Sequence, residues 1–282
     1  MANSDNLSGI KKREYVLGRD YLASVRLSLQ HIQETGYHVH PSIPLRAGME
    51  IMEVATGTGI WMLDLASKYP DINFHGTDYS LEQAPPREFL PSKVTLSKWD
   101  LLEGGVPEEY VGRFDLVHVR LLVCVIKNND PLPILEKLVK ILEPGGFLQL
   151  GEMDLVTNRF EHARPDLASS SFELAFNFPS TLDQRLGPIW VSDLSTQFGL
   201  AGLSSVVDQH DFRKKSHLSF YTDAAFLAWN EWREGMDESD KERYGSILGQ
   251  ARKDREEAKR GLALNMEIRT GVGRKEGGLS TM

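Results

Sequence analysis

Short apolar runs alternate with helix-compatible stretches from residue 49 onward, and this alternation constrains the fold of the chain more than any other feature. The pattern predicts strands over residues 49–55, 72–77, 94–98, 114–119 and 147–150, and later over 206–210 and 266–272. Helices are predicted between strands at 60–69 and 131–142. Because parallel strands must be joined by crossovers, this order predicts a doubly wound α/β fold with a mostly parallel, seven-stranded sheet covered on both faces.

Shifts in the pattern divide the chain into four predicted parts. These are an N-terminal helical arm at 1–48, a ligand-binding core at 49–154, a helical lid insertion at 155–202 and a C-terminal part of the core at 203–282. Apolar residues over 14–34 have the spacing of an amphipathic helix, which predicts the helical arm. The C-terminal part is predicted to contain a helical pair at about 219–261.

Prolines and glycines mark the irregular segments. Three prolines limit residues 81–91 to a loop with at most one helical turn, and Glu143–Gly146 is predicted to be the turn that stops the second helix. The glycine-rich tail from Gly271 to Met282 is expected to be frayed.

Charge and cysteine content limit the partners and the compartment. The 40 acidic and 32 basic residues give a net charge of -8, which disfavours nucleic acid, and the basic clusters at 11–13 and 213–215 are interpreted as solvated. A single cysteine, Cys124, excludes an internal disulfide, and its apolar surroundings indicate inert core. With no secretory or membrane segment in the sequence, a soluble, cytoplasmic protein is expected.

Residues 51–59, IMEVATGTG, have the form of a strand that ends in a glycine turn before a helix. Such a turn offers unpaired N–H groups and the positive end of a helix dipole to a ligand. The residues that follow, 60–62, lack the lysine and hydroxyl of a P-loop. Met62 occupies the position of the third glycine of a nicotinamide fingerprint, which disfavours that cofactor without excluding it.

S-adenosylmethionine is the third ligand class compatible with this turn. Asp78 ends the second predicted strand and is placed to bind ribose hydroxyls, while Asp100 follows the third strand and is placed near an adenine amino group. Trp99 could stack on the adenine ring. Because all of these residues follow strand ends, they are expected at one edge of the sheet.

The motifs EVATGTGIW, HGTDYS, KWDLL, RFDLVHVR and LEPGGFLQLGE together resemble the class I S-adenosylmethionine-dependent methyltransferases, in particular the fungal secondary-metabolism branch that includes LaeA-like regulators. The resemblance is good over residues 14–154 and loose beyond them. It implies S-adenosylmethionine as cofactor, held by Glu53, Ala55, Thr56, Gly57, Thr58, Gly59, Asp78, Tyr79, Trp99, Asp100 and Leu101. Ala55 stands where the family usually has a glycine, and an alanine is accommodated there if its φ is negative.

Methyl transfer depends mainly on alignment, assisted by a base when the acceptor is a hydroxyl or an amine. His118 is the candidate base, and Arg120 could meet the cofactor, the substrate or Glu152. Glu152 and Asp154 could orient a substrate or form structural ion pairs. The candidate substrate-lining residues are the lid aromatics Phe172, Phe176 and Trp190.

Other polar residues of the N-terminal region have simpler predicted roles. Arg26 and His31 could reach the cofactor, although a helix-surface position is the simpler interpretation. His38 and His40 have no Cys or carboxylate partner at ligand spacing, so no metal is predicted.

These features predict a methyltransferase that acts on an oxygen or nitrogen atom of a small, largely apolar secondary metabolite. Two alternatives stay open: a LaeA-like regulatory protein that retains the fold, and a cyclase that uses the cofactor without methyl transfer. The predicted partner is a small-molecule substrate, without nucleic acid or membrane. The sequence leaves the oligomeric state open.

Overall fold

A computed structural model describes residues 17–32 and 36–277 of the chain. The helices are α1 (Tyr21–Ile32), α2 (Ile60–Lys68), α3 (Leu132–Ile141), α4 (Ser170–Leu182), α5 (Leu194–Leu200), α6 (Leu218–Arg233) and α7 (Glu238–Glu257). The strands are β1 (Glu50–Val54), β2 (Asn73–Asp78), β3 (Val94–Lys98), β4 (Phe114–Arg120), β5 (Leu142–His162), β6 (Leu203–Phe212) and β7 (Leu262–Lys275). The predicted start of the arm at 14–16 and the basic cluster at 11–13 lie outside the described residues.

The seven strands form one sheet in the order β3-β2-β1-β4-β5-β7-β6. Strands β1 to β5 pair in parallel, whereas β7 runs antiparallel between β5 and β6. The predicted mostly parallel, doubly wound sheet is therefore confirmed. The carboxyl ends of β1, β2, β3 and β4 meet at one edge, which is where folds of this kind bind ligands.

Successive side chains of the central strand β4 point to opposite faces of the sheet, and both faces are buried. Leu116 packs on one face with Trp61 of α2, while Val117 and Val119 pack on the other with Leu138 of α3. All five of these side chains are inaccessible to solvent. A strand buried on both sides has to be apolar nearly throughout, which is why the core strands were recognisable from sequence.

Strand β5 is much longer than predicted, because it continues from the parallel sheet to His162 as an antiparallel ribbon with β7. The predicted helical lid at 155–202 is therefore wrong over its first eight residues. The second half is also different, since α5 covers the main sheet and buries Phe198 there. An antiparallel ribbon can leave one face exposed, so residues 155–162 lack the continuous apolar run of a core strand.

A second apolar core lies beside the ribbon. It is built from α4, α6, α7 and the far ends of β5 and β7, with Phe172, Phe226 and Tyr244 among its buried rings. The helical pair predicted at 219–261 corresponds to α6 and α7. Within the described residues, no helix combines the length and apolarity needed to cross a bilayer.

The prediction of a frayed tail from Gly271 is wrong as far as Lys275, because β7 extends to that residue and Val272 is fully buried. Residues 278–282 lie outside the described residues. The predicted turn at 143–146 is a bulge at the start of β5, since Phe114 pairs with Leu142 and Leu116 with Phe147. The proline-rich loop is confirmed, with a single turn at Arg87–Phe89.

The arm helix α1 packs against α6 near the ligand edge of the sheet. Arg26 of α1 forms an ion pair with Glu231 of α6, with Nε and Oε1 3.0 Å apart and both side chains buried. Arg26 also donates to Gln30. Arg26 thus fixes the arm in position, and it is not on a solvated helix surface.

Candidate functional site

A cavity of about 600 Å³ opens at the carboxyl ends of β1, β2, β3 and β4. This volume lies within the usual range for pockets that hold small molecules. Its walls come from the arm, the glycine turn, the loops after β2 and β3, and the end of β4. The lining residues are Leu17, Gly18, Arg19, Leu27, Ala55, Thr56, Gly57, Thr58, Asp78, Tyr79, Glu82, Gln83, Trp99, Asp100, Leu101, Leu102, Arg120, Leu121, Leu122 and Val125.

The turn after β1 is tightly wound. Gly57 and Gly59 have φ values of 55° and 70°, which glycine adopts without steric cost. Ala55 also has a positive φ, 56°, so the condition of a negative φ under which an alanine is accommodated here is not met. The residue is exposed and lies on the cavity wall, but its backbone conformation is disfavoured for alanine.

The turn and the arm approach each other closely. A Cβ atom at Gly57 would lie 3.2 Å from Cδ1 of Leu27 in α1. Glycine at this position therefore lets the arm pass over the turn and form one wall of the cavity.

Asp78, at the end of β2, is fixed by two backbone hydrogen bonds. Its Oδ2 accepts from the N–H of Gly57 at 2.9 Å, and its Oδ1 accepts from the N–H of Ser80 at 3.1 Å. Each carboxylate oxygen can accept a further bond. The neighbouring Tyr79 is largely exposed at the cavity mouth, with the Arg19 guanidinium 5.5 Å from its ring centroid.

The loop after β3 is held in the same manner. Asp100 Oδ1 accepts from the N–H groups of Leu102 and Glu103 at 2.9 and 3.0 Å. The indole of Trp99 donates to the Gly105 carbonyl at 2.9 Å and is nearly buried, with one part on the cavity wall. Leu101 completes this side of the cavity.

Glu53 lies behind the turn and is not among the residues on the cavity wall. Its Oε2 accepts from the Thr56 hydroxyl at 2.5 Å, and burial raises the pKa of the carboxyl to about 8. Glu53 therefore stabilises the glycine turn through its hydrogen bond with Thr56. The Thr58 hydroxyl oxygen is buried without a hydrogen-bond partner on the cavity side of the turn, and a bound ligand with a polar group would satisfy it.

His118 does not reach the large cavity, contrary to the prediction that it acts as the base there. Its ring stacks on Trp61, with centroids 3.7 Å apart, and is almost fully buried. Burial, and to a lesser degree the neighbouring imidazoles of His38 and His31, lowers the pKa of His118 to about 3. The β4 alternation is as predicted, but it directs His118 against α2, where the ring borders a separate small cavity and not the large one.

Arg120 stands at the boundary between the large cavity and a second, small cavity of about 60 Å³. Its Nη1 lies 3.5 Å from Nδ1 of His31. Burial lowers the pKa of Arg120 to about 10, so the side chain stays charged at neutral pH. The next residue, Leu121, has a φ of 59°, a strained conformation of the kind that clusters at binding sites.

The small cavity is lined mostly by residues with polar side chains, and no sequence pattern indicates it. Arg213 lines it with Nε and Nη1 buried and without hydrogen-bond partners, and its guanidinium lies 3.7 Å from the Tyr221 ring centroid. Interpreting the 213–215 cluster as solvated was therefore wrong for Arg213. Only contacts between β5, β7 and the segment after β6 bring this residue inside.

Glu152 and Asp154 have structural partners. Glu152 accepts from the N–H groups of Leu122 and Val123 at 2.7 and 3.2 Å, and burial raises the pKa of its carboxyl to about 8. Asp154 forms a buried ion pair with Arg269 of β7 at 2.8 Å. Glu152 thus shapes the segment after β4 that forms part of the wall of the large cavity.

The predicted substrate-lining aromatics do not line either cavity. Phe172 and Phe176 pack on each other and on Phe226 within the second core, with centroid distances of 4.8 to 5.9 Å. Trp190 is buried in the main core. Aromatic residues at helical spacing can line a pocket or pack in a core, and Phe172 and Phe176 pack in a core. The residues around the apolar end of the cavity are instead Leu121, Leu122 and Val125, together with Leu17 and Leu27 of the arm.

Comparison with known proteins identifies this arrangement. Residues 52–148, which include the turn, both aspartates and β4, match the methyltransferase domain family. Over this stretch the chain is similar to methyltransferase domains. The strand order and the ligand edge found here are those of the methyltransferase fold, and S-adenosylmethionine is the cofactor of that domain.

Two curated fungal relatives illustrate the similarity. The chain is 32% identical over 156 residues to the N-methyltransferase verN of Clonostachys rogersoniana, covering 54% of each chain. It is 33% identical over 150 residues to the secondary metabolism regulator LAE1 of Hypocrea atroviridis, covering 51% of this chain and 42% of the relative. The chain thus spans about half the length of the curated relatives it matches.

One solved structure extends the similarity over nearly the whole methyltransferase chain. It is a Haloferax volcanii complex between the Trm112 methyltransferase activator and a methyltransferase. The TM-score is 0.50 at 17% identity, with 92% of this chain and 99% of that chain covered. At this level of identity the similarity concerns the fold alone.

Proposed function

We propose that this protein binds S-adenosylmethionine in the large cavity and transfers its methyl group to an oxygen or nitrogen atom of a small, largely apolar metabolite. The observation that carries the proposal is the convergence of the glycine turn, Asp78 and Asp100 on one wall of a single cavity. The two fixed carboxylates suit the ribose and adenine parts of this cofactor, and the backbone of the turn lies on the cavity wall beside them. The cofactor supplies the electrophilic methyl group, so no protein nucleophile is needed.

The residues of the cavity would each bind a different part of the cofactor. Asp78 would accept hydrogen bonds from the ribose hydroxyls, since each of its oxygens retains acceptor capacity. Thr58 would donate or accept with its unpaired hydroxyl. Trp99 and Leu101 would enclose the adenine ring, and the charged Arg120 would attract the cofactor carboxylate.

The acceptor would lie on the other side of Arg120. Leu121, Leu122 and Val125 offer an apolar surface there, and the strained backbone of Leu121 turns this segment toward the cavity. Such a wall favours an apolar molecule and excludes water from the transferring methyl group. The similarity to the N-methyltransferase verN supports a nitrogen acceptor as one of the two options.

Calorimetric titration of the full chain with S-adenosylmethionine and with S-adenosylhomocysteine tests the first half of the proposal. We expect one site per chain with micromolar affinity, weakened at least tenfold by Asp78→Asn. The matched control is Asp71→Asn, which changes an exposed aspartate remote from the cavity. Absence of binding by both compounds would refute the proposal.

Transfer itself is tested by incubating the protein with cofactor labelled in the methyl group and a set of small apolar phenols and secondary amines. A labelled product with the mass of one added methyl group is expected. The match to the regulator LAE1 makes a regulatory protein the alternative. Tight cofactor binding without transfer to any phenol or amine of the set would favour that alternative.

A further inference from the structure

Three potential metal ligands from separate parts of the chain meet beside the cavities. His31 lies in the last turn of α1, His38 lies in the connection after it, and Asp64 lies in the middle of α2. Oδ2 of Asp64 is 3.3 Å from Nε2 of His31 and 2.8 Å from Nε2 of His38. One ligand atom from each of the three residues lies within 4.8 Å of the other two.

We propose that His31, His38 and Asp64 form a binding site for a divalent transition-metal ion, with Zn²⁺ as the best-suited ion. Two imidazoles and one carboxylate are a common ligand set for such ions, and they leave a fourth position for water. With metal–ligand bonds of about 2.0–2.1 Å, tetrahedral ligands lie roughly 3.3 Å apart. The two distances to Asp64 are close to that value, so small side-chain movements are enough.

The orientation of the two imidazoles supports the site. Their rings are stacked with centroids 5.1 Å apart and an angle of only 8° between the ring planes. Both Nε2 atoms therefore approach the same carboxylate oxygen from neighbouring positions. His31 is buried and His38 is half-buried, whereas the Asp64 side chain is 41% exposed, which leaves a route for an ion from solvent.

A lysine competes for the same ligand atoms. Nζ of Lys68 lies 2.7 Å from Nε2 of His38 and 3.5 Å from Oδ2 of Asp64. Its side chain is half exposed, so it can turn into solvent when a metal ion binds. On the opposite side, the Arg120 guanidinium lies 3.5 Å from Nδ1 of His31. These two cations should limit the affinity to the micromolar range, because like charges repel the ion.

The position of the site suggests a consequence for the arm. His31 belongs to α1 and Asp64 to α2, so one ion would join the arm to the helix that follows the glycine turn. Leu27 of α1 lies on the wall of the large cavity, one helical turn before His31. A bound ion would thus hold the arm closed over that cavity. This inference does not depend on the proposed methyl transfer.

The sequence alone argued against a metal. No Cys or carboxylate stands at ligand spacing from His38 and His40 in the sequence. The carboxylate comes instead from α2, and His40 turns away to contact Ser42 and Gln209. Only folding brings His31, His38 and Asp64 together.

The test is calorimetric titration of the tag-free full chain with ZnCl₂ in the absence of S-adenosylmethionine. We expect one Zn²⁺ per chain, with affinity at least tenfold weaker in Asp64→Asn and in His38→Ala. Lys68→Met should bind Zn²⁺ at least threefold more tightly, because it removes the competing ammonium group. Co²⁺ should give the visible absorption of a four-coordinate site in the wild type and lose it in Asp64→Asn.

A matched control separates this cluster from adventitious binding. His75 pairs with Glu50 at 2.7 Å in another histidine–carboxylate cluster of the chain, and His75→Gln should leave Zn²⁺ affinity unchanged. Asp64→Asn changes a partly exposed helix position, so its fold can be confirmed by circular dichroism. The proposal is overturned if Zn²⁺ does not bind, if Asp64→Asn binds as the wild type does, or if His75→Gln weakens binding equally.

Discussion

The backbone N–H of Gly57 donates to Oδ2 of Asp78 at 2.9 Å, which ties the glycine turn after β1 to the end of β2. This single bond fixes two of the groups that the proposed cofactor would contact. It also explains why a carboxylate is needed at residue 78 even before a ligand arrives. Any loss of charge at this position should affect the turn and the ligand together.

Replacement of Asp78 by asparagine should therefore weaken binding of S-adenosylmethionine. A hydrogen bond to a charged group contributes about 1.5–3 kcal/mol, which corresponds to roughly 10- to 100-fold in affinity. Titration calorimetry of Asp78→Asn and of the control Asp71→Asn measures the difference. Equal affinities for the two variants would contradict the role assigned to Asp78.

Ala55→Gly should stabilise the protein or leave it unchanged, although glycine normally destabilises. The left-handed conformation at φ 56° costs alanine about 1–2 kcal/mol, whereas the added chain entropy of glycine costs about 0.5–1 kcal/mol. The urea midpoint should rise by an amount corresponding to at most about 1.5 kcal/mol. The control Ala84→Gly changes a residue without positive φ and should lower the urea midpoint. A similar drop in the midpoint for Ala55→Gly and Ala84→Gly would show that Ala55 is not strained.

Glu53 should make stability depend on pH. In the folded protein it keeps its proton up to about pH 8, whereas an ordinary glutamate loses it near 4.5. Between these values the folded state holds more protons than the unfolded state, so the free energy of unfolding falls as pH rises. The slope for one group cannot exceed about 1.4 kcal/mol per pH unit.

Glu53→Gln cannot ionise and should lack this decline. Urea unfolding at pH 5.5 and pH 7.5 measures the free energy of unfolding of both proteins. Over that interval the difference between variant and wild type should shift by about 2–3 kcal/mol in favour of the variant. Glu152, whose pKa is also raised, contributes equally to both proteins and cancels in the comparison. The exposed Glu103→Gln is the control, and a parallel decline in Glu53→Gln would exclude a buried, protonated Glu53.

Gly271→Ala should destabilise the packing of α5 on the sheet. A Cβ atom at this position would lie 2.9 Å from two ring atoms of Phe198 and 3.1 Å from Cδ1 of Leu194. Overpacking of this kind costs about 1–3 kcal/mol. Thermal or urea unfolding measures it, and adding Phe198→Leu should recover part of the loss.

Gly199→Ala is the matched glycine control. A Cβ atom there meets open space within α5, so its stability should be unchanged or higher by up to about 1 kcal/mol. If Gly271→Ala were as stable as Gly199→Ala, this result would contradict the close packing of α5 on β7 at Gly271.

Much of the proposed cofactor wall could be predicted from sequence, because its parts are local. The turn at Gly57 and Gly59 and the acids Asp78 and Asp100 each follow a strand, and strands buried on both faces have a recognisable apolar run. Parallel pairing then brings the ends of these strands to one edge. Their placement around one cavity agrees with that expectation.

Other predictions failed where a local pattern fits more than one environment. Periodicity gave the correct face for His118, but it could not show that α2 would place Trp61 over the ring. The spacing of Phe172 and Phe176 is the same for a core as for a pocket. Ribbon residues 155–162 alternate only weakly, because antiparallel pairing with β7 does not require both faces to be buried.

The sequence by itself determined the parallel core, the glycine turn and the acids at the strand ends, since each is encoded within one strand and its loop. The tertiary structure alone decided that Arg213 lies in an interior cavity and that His31, His38 and Asp64 meet. The physical reason is that these groups are remote in the chain. Their proximity follows from packing of the arm, α2 and the β5–β7 ribbon, which no local pattern of residues specifies.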